Sequence, residues 1–192
     1  MPTSPHRRSL ALALAASALC ALPLAVRGSV ADVEPARTGG FGEMTCQQCH
    51  WENPLNDPGG RIAIAGVPDT YTPGEEYLIT VTLERPDLRR AGFQIAARED
   101  GINMANGKDA GTLRPTDELA RAVIGGPRNT TYVQHTEAGT KVAKPGSAAW
   151  TIAWTAPEAA GVPVVFNVAA NAANDDASPL GDFIYTAAAA SK

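Results

Sequence analysis

The sequence predicts an all-β fold, in which an antiparallel β-sandwich follows an irregular arm. Three observations support this prediction: short apolar–polar alternations recur along the chain, turn-forming residues separate them, and almost no segment has helical periodicity. Seven or so short strands with turns between them are typical of two packed sheets. Pro86 and Pro163 fall at strand boundaries, where a missing backbone N–H is tolerated.

The clearest strand signal runs over residues 76–84, where apolar residues occupy every second position and threonines lie between them. This alternation predicts a strand that is buried on one face only. The other predicted strands cover residues 61–64, 92–98, 131–136, 150–154, 164–170 and 182–186. Residues 99–130 are predicted to be rich in loops, with at most a short helix over residues 117–123.

Residues 1–31 have the layout of a secretory signal peptide. A basic start at residues 6–8 is followed by an Ala/Leu-rich run over residues 10–26 and by small residues before a cleavage point after Ala31. An uncleaved membrane anchor is the alternative, although Pro23 makes the apolar run a poor span. The prediction is therefore an exported protein, either periplasmic or secreted.

The charge of the chain argues against nucleic acid as a partner. Its 16 basic and 20 acidic residues give a net charge of −4. Cleavage after Ala31 removes three arginines and no acidic residue, so the net charge of the mature protein becomes −7. Contacts with phosphate need clustered lysine and arginine, whereas an acidic surface suits a basic protein partner.

Residues 32–60 show neither strand nor helix periodicity and are rich in Gly, Pro, Asn and Asp. This composition predicts an irregular arm, with one helical turn at its two cysteines. The predicted organisation is thus a signal peptide (1–31), the arm (32–60), the sandwich (61–186) and a short tail (187–192).

The arm contains Cys46-Gln47-Gln48-Cys49-His50, the C-x-x-C-H pattern of c-type haem attachment sites. Two thiols three residues apart lie on one side of a turn, where they can add to neighbouring vinyl groups of a porphyrin. The next residue presents an imidazole to the iron. The sequence therefore predicts one haem c, with Cys46 and Cys49 as the covalent attachment residues and His50 as the proximal iron ligand.

The distal iron ligand is predicted to be His135, the other histidine that remains after cleavage of the signal peptide. Met104, in a loop with Gly101 and Gly107, is the alternative ligand. Methionine in place of a second histidine would raise the reduction potential. The opposing interpretation is that His135 is a hydrogen-bonded strand residue with no role in ligation.

Three other interpretations of the motif are a zinc site, a thioredoxin-like redox site and a disulfide, and each requires particular ligands or a particular structural setting. Zinc needs four nitrogen or sulfur ligands, and the adjacent Cys49 and His50 are awkward joint ligands of one small ion. A thioredoxin-like redox site needs a βαβ setting, which the flanking sequence lacks. A Cys46–Cys49 disulfide in an exported protein remains the open alternative. No nucleophile elbow, phosphate loop or H-E-x-x-H is present, so the sequence does not predict an enzyme.

Several motifs in this order resemble the exported Reeler-like sandwich modules also called choice-of-anchor V domains. These motifs lie at residues 42–50, 53–56, 71–74, 92–94, 132–136, 150–154, 156–157 and 171–174. The resemblance spans residues 39–186. It implies an immunoglobulin-like sandwich, export, and an arm whose C-x-x-C-H motif binds haem.

The predicted function is that of an exported, monohaem, c-type cytochrome-like protein, either an electron carrier or a haem-bearing subunit. Its partner would be a redox protein of a membrane or periplasmic electron-transfer complex. The alternative is a Reeler-like binding or adhesion module, with a Cys46–Cys49 disulfide and no cofactor. His50 separates the two predictions, because only the first requires it.

Overall fold

The computed structural model describes Met1 and residues 33–100 and 107–192. The rest of the predicted signal peptide and the alternative ligand Met104 lie outside the described residues. Within the described part of the chain, no helix has the length and apolar composition needed to cross a membrane.

Two antiparallel sheets form the body of the described chain, which confirms the predicted all-β sandwich. Their strands are β1 (Arg61–Ala65), β2 (Glu76–Glu84), β3 (Arg90–Glu99), β4 (Thr112–Pro115), β5 (Ala120–Gly125), β6 (Thr130–His135), β7 (Ser147–Thr155), β8 (Val164–Ala173) and β9 (Phe183–Ser191). One sheet has the order β1-β2-β7-β4, and the other has the order β5-β6-β3-β8-β9. Two short 3-10 turns cover Cys46–Gln48 and Ala138–Thr140.

The core lies between the two sheets and follows the period-two pattern. On β2, Ile79, Val81 and Leu83 are fully buried, as their alternation with threonine predicts. Trp154 on β7 lies at the centre of an aromatic cluster, with its ring centroid 4.9 Å from that of Phe166. Its indole N–H donates to a backbone carbonyl, so the only polar atom of this side chain is satisfied.

The loop-rich prediction for residues 99–130 is wrong in part, because β4 and β5 lie there and no helix covers residues 117–123. Strand β5 pairs antiparallel with β6 through a tight turn from Gly126 to Asn129. Gly126 and Asn129, the first and last residues of this turn, both have positive φ. β5 has few buried residues, so its alternation is a weak signal in the sequence.

The predicted tail is also wrong, because β9 continues to Ser191. Ser191 pairs with Val164, the first residue of β8. Residues 187–190 are all alanine, which has a low strand propensity, and their pairing with β8 outweighs that local preference.

The arm packs on the outer face of the five-stranded sheet as a third layer. Gln94 on β3 is fully buried; its side-chain nitrogen donates to the Glu34 carbonyl at 3.1 Å, and its side-chain oxygen accepts the Arg37 N–H at 2.7 Å. Gln134 on β6 likewise donates to the Val33 carbonyl. The strand predicted over residues 92–98 is therefore buried on both faces, since the arm covers its polar side.

A buried ion pair fastens the middle of the arm to the sheet. The Arg98 side chain on β3 is fully buried and pairs with the carboxylate of Glu43, which is 6% exposed. The hydroxyls of Thr38 and Tyr132 also donate to this carboxylate, and the ring of Phe41 lies 4.4 Å from the guanidinium carbon. Burial, with the neighbouring carboxylate of Glu43, raises the pKa of Tyr132 well above its usual value. These contacts position the segment that leads directly into Cys46.

Candidate functional site

The C-x-x-C-H segment forms a 3-10 turn, where the sequence predicts a helical turn. Thr45 caps its start, because the side-chain oxygen of Thr45 accepts the Gln47 N–H at 3.1 Å. The N–H groups of Cys49 and His50 both donate to the Cys46 carbonyl, at 3.2 and 3.1 Å. Residues three apart are eclipsed in an ideal 3-10 helix, which is the relation that thioether bonds to one porphyrin require, and Cys49 is the residue that ends this turn.

The two cysteines are free thiols in different environments. Cys49 is exposed, whereas Cys46 is partly buried on the side of the turn that contacts β8 and β9. Burial raises the pKa of the Cys46 thiol from 9.0 to about 12, and a backbone hydrogen bond and nearby Arg37 only partly oppose this effect. Cys46 is therefore a neutral thiol at physiological pH.

His50 is held by Asp182, which lies between β8 and β9. The Nδ1 atom of His50 lies 2.7 Å from Oδ2 of Asp182, whose side chain is 2% exposed. Asn171 on β8 donates from Nδ2 to the same carboxylate oxygen at 3.0 Å. The same Nδ2 lies 3.3 Å from His50 Nδ1 and 3.5 Å from His50 Nε2. A carboxylate accepts hydrogen bonds, so it favours the imidazole tautomer with its proton on Nδ1 and a lone pair on Nε2.

Hydrogen bonds on both sides of His50 connect the turn to Asp182. The backbone carbonyl of Asp182 accepts Nδ2 of Asn53 at 2.9 Å, and the carbonyl of Asn53 accepts Nε2 of Gln47 at 2.8 Å. The second carboxylate oxygen of Asp182 accepts the Asn174 N–H at 3.3 Å. The position of the imidazole is therefore determined by the sheet as well as by the turn.

His135, the predicted distal ligand, is 6% exposed at the end of β6. Its Nδ1 lies 2.9 Å from the backbone nitrogen of Phe93 and 3.1 Å from the carbonyl oxygen of the same residue. Its ring also packs against Gly92, where an added Cβ would lie 2.6 Å from Cε1 of the histidine. The side chain thus has the strand contacts that the opposing interpretation describes.

His135 is a residue of the five-stranded sheet, whereas His50 belongs to the arm and contacts the same sheet at another strand. Strand β3 separates β8, where His50 contacts Asn171, from β6, which carries His135. Gly92 is the β3 residue that pairs with Asn171 and packs against His135. Ligation of the iron by His135 stays a prediction, as does ligation by Met104.

Several exposed apolar side chains lie near the motif in the sequence or in a loop that is hydrogen-bonded to the arm. Met44 is 58% exposed and Trp51 is 66% exposed, and they flank the motif in the sequence. Leu55 and Leu180 are also exposed, and the Gly181 N–H next to Leu180 donates to the side chain of Glu52.

The chain's own donor set fits a covalently attached haem on the proximal side. The turn holds two free thiols three residues apart, and His50 directs Nδ1 to Asp182. With its proton on Nδ1, the ring has its lone pair on Nε2, which lies 3.5 Å from Nδ2 of Asn171 and would be the atom that binds a metal. Among the described residues, no group of three or more His, Cys, Asp or Glu side chains is arranged to hold a metal ion. A porphyrin supplies four nitrogen ligands itself, so iron within it needs only axial side chains.

Sequence reasoning placed the cysteines and His50 in one site but did not associate Asp182 or Asn171 with it. Asn171 is separated from His50 by 121 residues along the chain. Asp182 appears in the sequence only as the first residue of a predicted strand. An acidic residue at the start of an apolar strand could have indicated Asp182, but such residues are too common for this pattern to be specific.

No protein-family model matches the chain, and no curated protein matches it. Solved structures with a similar fold include a human F-spondin reeler domain, at 20% identity over 70% of this chain and 89% of that domain, with a TM-score of 0.44. The Reelin-N domain of F-spondin covers 76% of this chain and 96% of its own length, at 17% identity and a TM-score of 0.46. A cohesin module of a Clostridium perfringens family 33 glycoside hydrolase covers 69% of this chain and 95% of its own length, at 12% identity and a TM-score of 0.47.

Proposed function

We propose that this protein is an exported haem protein that carries electrons, either alone or as the haem-bearing subunit of a larger complex. One haem would be joined to Cys46 and Cys49 by thioether bonds, with His50 as an axial ligand. The observation that carries the proposal is the hydrogen bond between His50 Nδ1 and buried Asp182. A histidine that directly follows a C-x-x-C pair is then oriented with Nε2 as the metal-binding atom.

Each residue of the turn has a distinct role in this proposal. Each cysteine would hold the haem through one thioether bond. The S–H group would add across a vinyl group, with sulfur on one carbon and hydrogen on the other, so no oxidant would be needed. The bound group supplies reversible one-electron chemistry at its iron. Exposed Met44 and Trp51 provide apolar surface next to the turn, where they can cover the edge of a porphyrin and keep water from it.

The proposal extends to partner and location. A one-electron carrier exchanges electrons with another redox protein, which here would be a periplasmic or membrane-bound complex. The charge of the predicted mature chain favours a partner with a basic docking surface. We propose electron transfer, and not the transformation of a substrate, as the role of the site.

The test is to express the full chain in a host that performs c-type cytochrome maturation and to stain the purified protein for haem after denaturing electrophoresis. Haem that stays with the unfolded chain, together with a reduced-minus-oxidised difference spectrum, is the expected result.

Variants of the turn test the individual residues. Cys46→Ser and Cys49→Ser should each weaken haem attachment, and the double variant should abolish it. His50→Ala should remove axial ligation, as judged by the spectrum. Asp69→Asn, a change at an exposed acidic residue, is the control and should keep the haem.

A colourless parent protein from that host would contradict the proposal and leave the second candidate, a Reeler-like binding or adhesion module with a Cys46–Cys49 disulfide and no cofactor. The exposed apolar side chains near the motif favour this candidate, because they could contact another protein directly. Mass spectrometry of the intact protein separates the two, since a disulfide lowers the mass by two hydrogens and an attached haem raises it. Two of the similar solved structures are reeler domains, the kind of module that the second candidate resembles.

A further inference from the structure

Asp182 has more hydrogen-bond partners in the site than its position in the sequence indicates. Its carboxylate is 2% exposed and contacts His50 Nδ1, Asn171 Nδ2 and the Asn174 N–H. The first contact joins it to the arm, and the other two hold it against β8. A buried carboxylate in this position is fixed in orientation, so it determines the orientation of the imidazole in turn.

We propose that Asp182 is the positioning residue of the site: it fixes His50 in the tautomer that presents Nε2 to a metal and makes the imidazole a more electron-rich ligand. This inference rests on the proposed function for its redox consequence, although the tautomer is a property of the chain alone. A carboxylate that accepts a hydrogen bond from the Nδ1–H group makes the ring a stronger electron donor to a metal. A more basic axial ligand stabilises the oxidised iron and lowers the reduction potential.

Asn171 makes this arrangement more favourable for a carboxylate than for a neutral acceptor. Its Nδ2 can only donate, and it lies within hydrogen-bond distance of Asp182 Oδ2, which His50 also contacts. Two donors converge on one oxygen, which suits an ionised acceptor. An asparagine at position 182 could still accept through its carbonyl oxygen, but with less negative charge on the acceptor.

The first experiment uses the haem-free Cys46→Ser/Cys49→Ser variant of the full chain and measures the nitrogen-15 NMR signals of His50 at an alkaline pH where imidazole is neutral. The expected result is a proton on Nδ1 and none on Nε2. Asp182→Ala in the same background should shift the population toward the Nε2–H tautomer. Asp176→Asn, an exposed carboxylate in the same loop, is the matched control and should leave the tautomer unchanged.

The second experiment measures the reduction potential of the haem-loaded chain with Asp182 and with Asp182→Asn. We expect the ratio of reduced to oxidised protein at a fixed potential to rise at least tenfold, which corresponds to about 59 mV for one electron. Asp176→Asn should leave the reduction potential unchanged. A purely structural role of Asp182 would lower the stability of the protein without this shift.

The outcomes separate the two proposals. A proton on Nε2 in the haem-free parent overturns the assignment of Asp182, whether or not haem binds to the natural chain. An unchanged potential in a folded, haem-loaded Asp182→Asn variant overturns its tuning of the iron. A parent that takes up no haem overturns the proposed function, while the tautomer measurement still decides whether Asp182 positions His50. That measurement needs no Asp182 variant, so it stands even if Asp182→Asn fails to fold.

Discussion

The two faces of β3, the central strand of the five-stranded sheet, are both buried, but by opposite chemistry. On the inner face, Phe93 and Ile95 of β3 pack against the apolar side chains of the other sheet. On the outer face of the same strand, Gln94 and Arg98 are equally buried and form hydrogen bonds and an ion pair with the arm. Apolar burial is non-directional, whereas each polar contact fits only one placement of the arm.

This difference assigns a separate role to each face. The apolar face supplies the free energy that keeps the sandwich folded. The polar face determines where the arm lies, because buried donors and acceptors without partners would be costly. The arm carries the cysteines and His50, so the polar face determines the geometry of the candidate site.

The largest effect on stability is expected from Phe93→Ala. Phe93 is 1% exposed, and its ring stacks on that of Trp150 with the centroids 4.5 Å apart. Loss of such a side chain removes buried area and leaves a cavity, which costs about 3–5 kcal/mol. Urea denaturation measures the change. Leu78→Ala, a truncation at an exposed position of β2, is the control and should change stability by no more than about 0.5 kcal/mol. Equal losses in the two variants would contradict the role of the inner face.

On the outer face, Glu43→Gln is expected to cost about 3 kcal/mol, because it leaves the buried guanidinium of Arg98 without a counter-charge. Adding Arg98→Met removes that charge, so the double variant should be more stable than Glu43→Gln alone. The four proteins of this double-mutant cycle are compared by urea denaturation. Additive losses would show that the ion pair does not fasten the arm.

The smallest effect is expected in a chemical test, which compares the alkylation rates of the two thiols of the turn. In reduced, haem-free protein at pH 8, Cys46 should be alkylated roughly 1,000-fold more slowly than in urea, because burial raises its pKa from 9.0 to about 12. Mass spectrometry follows the reaction, and exposed Cys49 serves as the internal reference. Alkylation of Cys46 at the same rate in folded and unfolded protein would show that the turn does not pack on the sheet.

The same shift has a consequence for stability. The unfolded chain loses the Cys46 proton near pH 9 and the folded chain only near pH 12. Between these values the folded state binds more protons, so stability falls as the pH rises through this window.

The sequence predicted those parts of the fold that depend on local patterns. Alternation on β2 identified Ile79, Val81 and Leu83 as core residues, and these side chains are fully buried. The spacing of Cys46 and Cys49 predicted a turn with both thiols on one side. Strands β4 and β5 were missed because they are short and bury few residues, so their alternation is too weak to stand out from loops.

The sequence by itself determined which side chains share a face of each strand, because successive side chains of a strand point to opposite sides. It also determined the local order of thiols and imidazole in the C-x-x-C-H turn. Only the tertiary structure decided what covers the polar face of β3 and that His50 meets Asp182. Both depend on contacts between residues far apart in the chain, and the period-two pattern carries no information about which distant segment supplies the partner.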